Sequence, residues 1–85
     1  MKLSTRSRYG LRAMLALSLH EGDAPMMTKE IAEKQNLPAT YLEQLMLTLR
    51  KAGLVLATRG AKGGYVLSRD SKGITLAEIV EALEG

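Results

Sequence analysis

Cysteine, phenylalanine and tryptophan are all absent from this sequence of 85 residues. Without cysteine the chain forms no disulfide, holds no metal through thiolate and offers no cysteine nucleophile. That is compatible with a cytoplasmic setting, which is the expectation. Without phenylalanine or tryptophan, the core must come from leucine, isoleucine, valine, methionine and alanine, helped by parts of three tyrosines. Long apolar runs are missing too. None approaches the roughly 18 residues needed to cross a membrane, and no membrane partner is expected. The apolar stretch LRAMLALSL is interrupted by Arg12, and no small-x-small pattern follows. It is expected to be a helix rather than an export signal.

Catalytic chemistry is equally thin. Seven glutamates and two aspartates form no recognisable acid–base pair, and the serines and threonines have no base placed beside them. An enzyme is not expected. The single histidine, His20, precedes Glu21 and Asp23. That grouping superficially suggests a metal, but a histidine capping the last carbonyls of a helix is the simpler account. No metal site and no cofactor are expected in this chain.

What remains is enough for one small domain. Apolar residues make up 46% of the chain, which supports a modest core, and the formal charge is +3. That mild excess permits an anionic partner without requiring one.

Ser4 or Thr5 is placed to cap a first helix reaching about Leu19 or His20. Gly10 lies inside it at a cost of about 1 kcal/mol relative to alanine, which points to a close backbone approach. Apolar residues at Leu11, Met14, Leu15, Leu17 and Leu19 cover more than one face, so this helix needs partners on more than one side. Thr28 is placed to cap a second helix over about 29–35. Asn36 tolerates a left-handed turn, Leu37 closes it, and Pro38 suits the start of a third helix. Thr40 and Glu43 have capping-box spacing, although Pro38 can itself be the boundary. The third helix runs to about Lys51 and stops at Gly53. LVLAT (54–58) and GYVLS (64–68) then read as two strands of a hairpin joined by RGAKG. Thr75 and Glu78 form a capping box for a last helix.

The order is helix, helix, turn, helix, hairpin, helix. Ile31, Ala32, Leu37, Leu42, Leu45 and Leu49 supply an apolar stripe that can hold two helices at a steep angle around a short turn. The fold class expected is mainly α with a small β-hairpin, a winged helix-turn-helix. The competing reading is a helical bundle with an incidental hairpin. In the first reading the third helix enters a DNA major groove and the hairpin is a wing beside it.

The wing tip carries cations on a flexible loop. Arg59 suits a narrow minor groove and Lys62 a phosphate, while Gly60, Gly63 and Gly64 let the tip turn and approach closely. Tyr65 begins the return strand and supports the wing. The loop lacks the spacing of a nucleotide-binding P-loop. Arg50, Lys51, Arg59, Lys62, Arg69 and Lys72 bias the second half positive, with Asp70 the single acid between the first and last of them.

Other candidates lie on the third helix. Glu43 either accepts from a cytosine amino group or partners Thr40 in a cap. Gln44 either reads adenine, donates to phosphate or is solvated. Tyr41 can offer its hydroxyl to phosphate over a packed ring. Thr28 and Thr40 can cap helices and contact DNA with the same ends. The alternative function is a winged-helix protein-interaction module without direct DNA readout. RNA is disfavoured because there is no aromatic platform and a helix fits the B-form major groove better.

LSTRSRYGLRAMLALS, IAEKQNLPATYLEQLMLTLRKAGLV and RGAKGGYVLSRD together resemble one bacterial regulator family. It contains the iron–sulfur cluster assembly regulator, the nitric-oxide-sensing repressor and a cysteine-metabolism repressor. The resemblance covers essentially the whole chain. It implies a homodimeric winged-helix transcription factor that binds double-stranded DNA at an imperfect palindrome, usually as a repressor. It places Tyr41, Glu43, Gln44, Arg50 and Lys51 on or near the DNA-reading helix. Arg59, Gly60, Gly63, Gly64 and Tyr65 fall on the wing, and Ser4, Thr5, Arg6 and Arg8 fall where phosphate contact is expected. Members of the family continue into a long dimerisation helix, so residues 1–85 are expected to be the N-terminal DNA-binding domain of a longer regulator. Cluster-binding members also carry cysteines beyond this region. A longer natural form with an iron–sulfur cluster is therefore compatible with the resemblance but has no support in these residues.

Overall fold

A computed structural model describes residues 3–20, 24–61 and 63–85. Helix α1 spans Thr5–Leu19, α2 Thr28–Gln35 and α3 Ala39–Lys51; strands β1 (Val55–Thr58) and β2 (Gly64–Leu67) follow, and α4 covers Leu76–Glu84. A 3₁₀ turn at Ser71–Gly73 leads into α4. The expected class is therefore the one adopted.

Local chemistry accounts for most boundaries. Ser4 caps α1, its Oγ accepting from the Ser7 N–H at 3.1 Å. Thr75 and Glu78 cap α4 reciprocally: the Glu78 N–H donates to Thr75 Oγ1 at 3.1 Å, and the Thr75 N–H donates to Glu78 Oε1 at 3.1 Å. Helix α3 ends in a paired motif around Gly53, whose φ is 78°. The Gly53 N–H donates to the Arg50 carbonyl at 2.9 Å and the Leu54 N–H to the Leu49 carbonyl at 3.0 Å, which satisfies carbonyls the helix leaves open.

One cap differs from the sequence reading, and the alternative left open at α3 is decided. Thr28 is the first residue of α2 rather than its cap; Met27 precedes the helix, and its N–H donates to Glu30 Oε1 at 3.3 Å. Methionine has no side-chain oxygen, so only the glutamate half of a capping box exists. At α3 the boundary residue is Pro38, with no side-chain cap bond, and Thr40 and Glu43 form no box. Proline's fixed φ sets this helix start without a hydroxyl.

The α2–α3 turn is built as its residues require. Asn36 is left-handed at φ 54°, and the Leu37 N–H donates back to the Ala32 carbonyl at 2.9 Å. Leu37 is thereby turned into the core beside Ile31, Leu42, Leu45, Met46 and Leu49. Each such fully buried side chain stabilises the fold by about 1.5–3 kcal/mol relative to exposure. Helix α4 packs its Ile79 and Leu83 into the same core against α1. The close approach expected at Gly10 is real: a Cβ there would lie 2.1 Å from Leu83 Cδ1. Apolar residues on α1 do cover more than one face, and Leu15 and Leu19 remain 51% and 69% exposed.

The strands pair antiparallel, with Val55 opposite Leu67 and Thr58 opposite Gly64. Met26 forms a single antiparallel bridge with Tyr65 on the other edge of β2. The hairpin is thus anchored to the loop before α2, through a fully buried methionine.

Candidate nucleic-acid interface

Helix α3 divides cleanly into two faces. Leu42, Leu45, Met46 and Leu49 recur at helical spacing and are buried. Thr40, Glu43, Gln44, Leu47, Arg50 and Lys51 recur on the other side and are exposed. The buried stripe fixes the roll of the helix, and the roll decides which side chains face out. Tyr41 lies between the faces. Its ring meets that of Tyr9 edge-on, with centroids 5.7 Å apart at 71°.

The wing stands next to this helix because β1 begins four residues after it. Arg59, Gly60 and Ala61 are exposed at the tip. Lys62 lies outside the described residues. Among the described residues, Arg50, Lys51 and Arg59 make no ion pair and no side-chain hydrogen bond with the protein. Their charges are available to an external anion. Gly64 has φ 153°, and a Cβ on it would lie 2.4 Å from the Met26 carbonyl oxygen. Tyr65 is half-buried against the core, and its N–H and carbonyl are both bonded to Met26. The supporting role expected for it is what the geometry provides.

Other cations are spent inside the domain. Arg6 donates from Nε to the Leu83 carbonyl at 2.8 Å and from Nη2 to Thr48 Oγ1 at 2.9 Å. Arg12 donates to the Gln35 carbonyl at the end of α2. Arg69 pairs with Glu78 and donates to the Gly73 carbonyl. The positive bias counted along the second half therefore overstates the outward charge by Arg69. Ser4 also looks inward, donating to Glu84 as well as capping α1. Thr5 and Arg8 are exposed and bonded to each other, Arg8 Nη2 donating to Thr5 Oγ1 at 3.0 Å. Thr28 is half-buried at the start of α2.

Two acids are tuned by these partners. Arg69, then the Thr75 N–H, hold the Glu78 carboxyl below its ordinary value. The hydroxyls of Ser4 and Ser7 do the same for Glu84. Glu84 and Thr48 were not singled out in the sequence. Glu84 bonds residues 80 and 77 positions away, and no local spacing signals such a contact.

Metal ligands do not converge. Among the described residues no three His, Cys, Asp or Glu side chains come together. Glu21 and Asp23 lie outside those residues. No described helix is long and apolar enough to cross a membrane.

A family model described as "Rrf2: Iron-dependent Transcriptional regulator" matches residues 3–85. The chain belongs to the Rrf2 family. It is 49% identical over 85 residues to the HTH-type transcriptional regulator CymR of Bacillus subtilis, covering 100% of this chain and 62% of that one. The structure of that CymR, titled the global cysteine regulator of B. subtilis, superposes on it with a TM-score of 0.94 at 48% identity. It covers 100% of this chain and 66% of the solved one. The T. potens IscR structure gives a TM-score of 0.92 at 49% identity, over 100% of this chain and 62% of that one. The chain thus spans between 62% and 66% of the length of these relatives. The family description is that of a transcriptional regulator. The family description includes "iron-dependent"; this sequence includes no cysteine, and among the described residues no ligand set converges.

Proposed function

We propose that this Rrf2 chain is the DNA-binding part of a sequence-specific transcriptional repressor. Helix α3 lies in the major groove, where Glu43 and Gln44 meet base edges and Thr40, Tyr41 and Thr28 meet the backbone. Arg50 and Lys51 neutralise phosphates at its far end, and Arg59 at the wing tip enters the flanking minor groove. The regulator works in the cytoplasm as a homodimer on a palindromic operator, because two-fold proteins read half-sites one helical turn apart, about 34–36 Å. One observation carries this reading: Arg50 and Lys51 on the exposed polar face of α3, and the exposed Arg59, hold charges that make no ion pair and no side-chain hydrogen bond among the described residues.

A random-pool selection with the full-length protein tests it, followed by salt titration of the selected site. Enrichment of an inverted repeat is the expected result. Arg59→Ala should weaken binding and reduce the dependence of log affinity on log salt by about 1, with an unchanged circular dichroism spectrum. A pool with no enriched sequence would overturn the proposal in favour of a protein-interaction module.

A further inference from the structure

We propose that Arg6 is a positioning residue for DNA reading, acting on α3 from inside the domain and not through phosphate. The inference rests on the proposed function above. Three helix ends meet at this side chain. Arg6 sits in the first turn of α1, and its Nε holds the Leu83 carbonyl near the C-terminus of α4 at 2.8 Å. Its Nη2 holds Thr48 Oγ1 on α3 at 2.9 Å. Thr48 Oγ1 in turn donates to the Gln44 carbonyl at 3.2 Å. The bonds therefore run from α4, through one guanidinium, to the backbone of a residue on the outward face of α3. Glu84 closes the same junction by accepting from Ser4 and Ser7 in the cap and first turn of α1.

A planar guanidinium suits this role. Its donors keep fixed directions, so occupying two of them on different helices sets the angle between those helices. Lysine presents a single ammonium on a flexible stem and cannot impose that angle. The buried stripe of α3 fixes its roll, but apolar packing is less directional along the helix axis. The Arg6–Thr48 bond supplies a directional tie there. Base readout needs donors and acceptors placed within hydrogen-bond distance, so a small slide of α3 costs affinity without the loss of any DNA contact.

The test uses the full-length protein, its selected operator and the variants Arg6→Gln, Thr48→Val and their combination. Thr48→Val keeps the Arg6–Leu83 bond and guards against a folding failure of Arg6→Gln. Each single change should weaken operator binding about tenfold, the scale of one hydrogen bond to a charged group. The salt slope should stay at the wild-type value, and the combination should be no weaker than either single change. In the free protein, the amide resonances of Gln44 and Leu47 should move in both variants. A salt slope lower by about 1 in Arg6→Gln, with Thr48→Val binding like wild type, would make Arg6 a phosphate contact and overturn the proposal. Unmoved α3 amides would overturn it as well. If the wild type bound no DNA, the functional reading would fall, and the amide shifts would still decide whether Arg6 positions α3.

Discussion

Tyr65 and Met26 exchange both of their backbone hydrogen bonds. The Tyr65 N–H donates to the Met26 carbonyl at 2.8 Å and the Met26 N–H to the Tyr65 carbonyl at 3.0 Å. The wing is therefore fastened to the loop ahead of α2 at the tip-side end of β2, where Tyr65 pairs with Ala57, while Arg59 in the tip loop stays exposed. Fastening the strands this close to the tip loop lets the arginine reach outward without the hairpin swinging as a whole.

Gly64 makes that fastening possible. Its φ is 153° and its Cα side faces the Met26 backbone. An added Cβ would meet the Met26 carbonyl carbon at 2.5 Å, against backbone that cannot rotate away. Gly64→Ala should destabilise the domain by about 1–3 kcal/mol, the scale of a strained backbone position. It should also expose the Met26 and Tyr65 amides to hydrogen exchange. Urea unfolding with wild-type stability, and both amides still protected, would show that the fastening is not needed.

Gly10 and Leu83 make a second prediction with a change of sign. In the wild type, Gly10→Ala drives a methyl into Leu83 at the α1–α4 contact. Overpacking costs about 1–3 kcal/mol, and the better helix propensity of alanine returns about 1. The net effect should be a modest loss of stability. Leu83→Ala alone should cost about 2–5 kcal/mol, because Leu83 is buried. In that background the alanine methyl at position 10 has space, so Gly10→Ala should become stabilising. Urea denaturation of the four proteins measures the cycle. Additive losses would mean that the two residues do not share one space.

Much of this fold was legible in the chain because it is written locally. The Thr75–Glu78 box, Asn36 in the turn, Gly53 at the end of α3 and the wing glycines each act on neighbours within a few residues. The α2 cap differs from the reading because threonine at 28 is the familiar capping residue while Met27 takes the boundary, and at α3 the spacing of Thr40 and Glu43 could not be separated from Pro38 by sequence alone. The two-faced character of α3 was legible from leucine spacing. The inward turn of Arg6, Arg69 and Ser4 was not. Their distant partners are the Leu83 carbonyl of α4, Thr48, Glu78 and Glu84, which only the tertiary fold brings near. A count of cations along a sequence does not separate those that hold helices together from those that face out.

Glu84 gives the domain an acid-sensitive joint. Bonds from the Ser4 and Ser7 hydroxyls hold its carboxyl below the ordinary value in the folded state. Between the folded and unfolded pKa values the unfolded chain binds more protons, so stability falls as pH falls. The contribution is complete above the ordinary carboxylate range and is lost as pH drops through the folded value. Glu78 acts in the same direction through Arg69, so the comparison must be between proteins at each pH. Glu84→Gln should be less stable than wild type at neutral pH, and the gap should close in acid. Thermal melts from pH 7 down to pH 3 test this; a gap independent of pH would mean that the charge on Glu84 plays no part.

Glu43 carries the sharpest prediction about sequence choice. Its carboxylate is exposed on the outward face of α3, and no cap bond to Thr40 exists to explain it. Bringing a negative charge into a groove lined by phosphates is unfavourable unless the carboxylate accepts a hydrogen bond there. The cytosine amino group is the major-groove donor that suits it. Glu43→Ala removes both the repulsion and the bond. Affinity for unrelated DNA should rise, while discrimination at one base pair should fall by about 1–3 kcal/mol. Competition among every single-base variant of the selected operator measures this directly. The profile should flatten at one position in each half-site and stay unchanged elsewhere. An identical profile for the mutant and the wild type would remove Glu43 from base reading and leave it a solvated side chain on the helix.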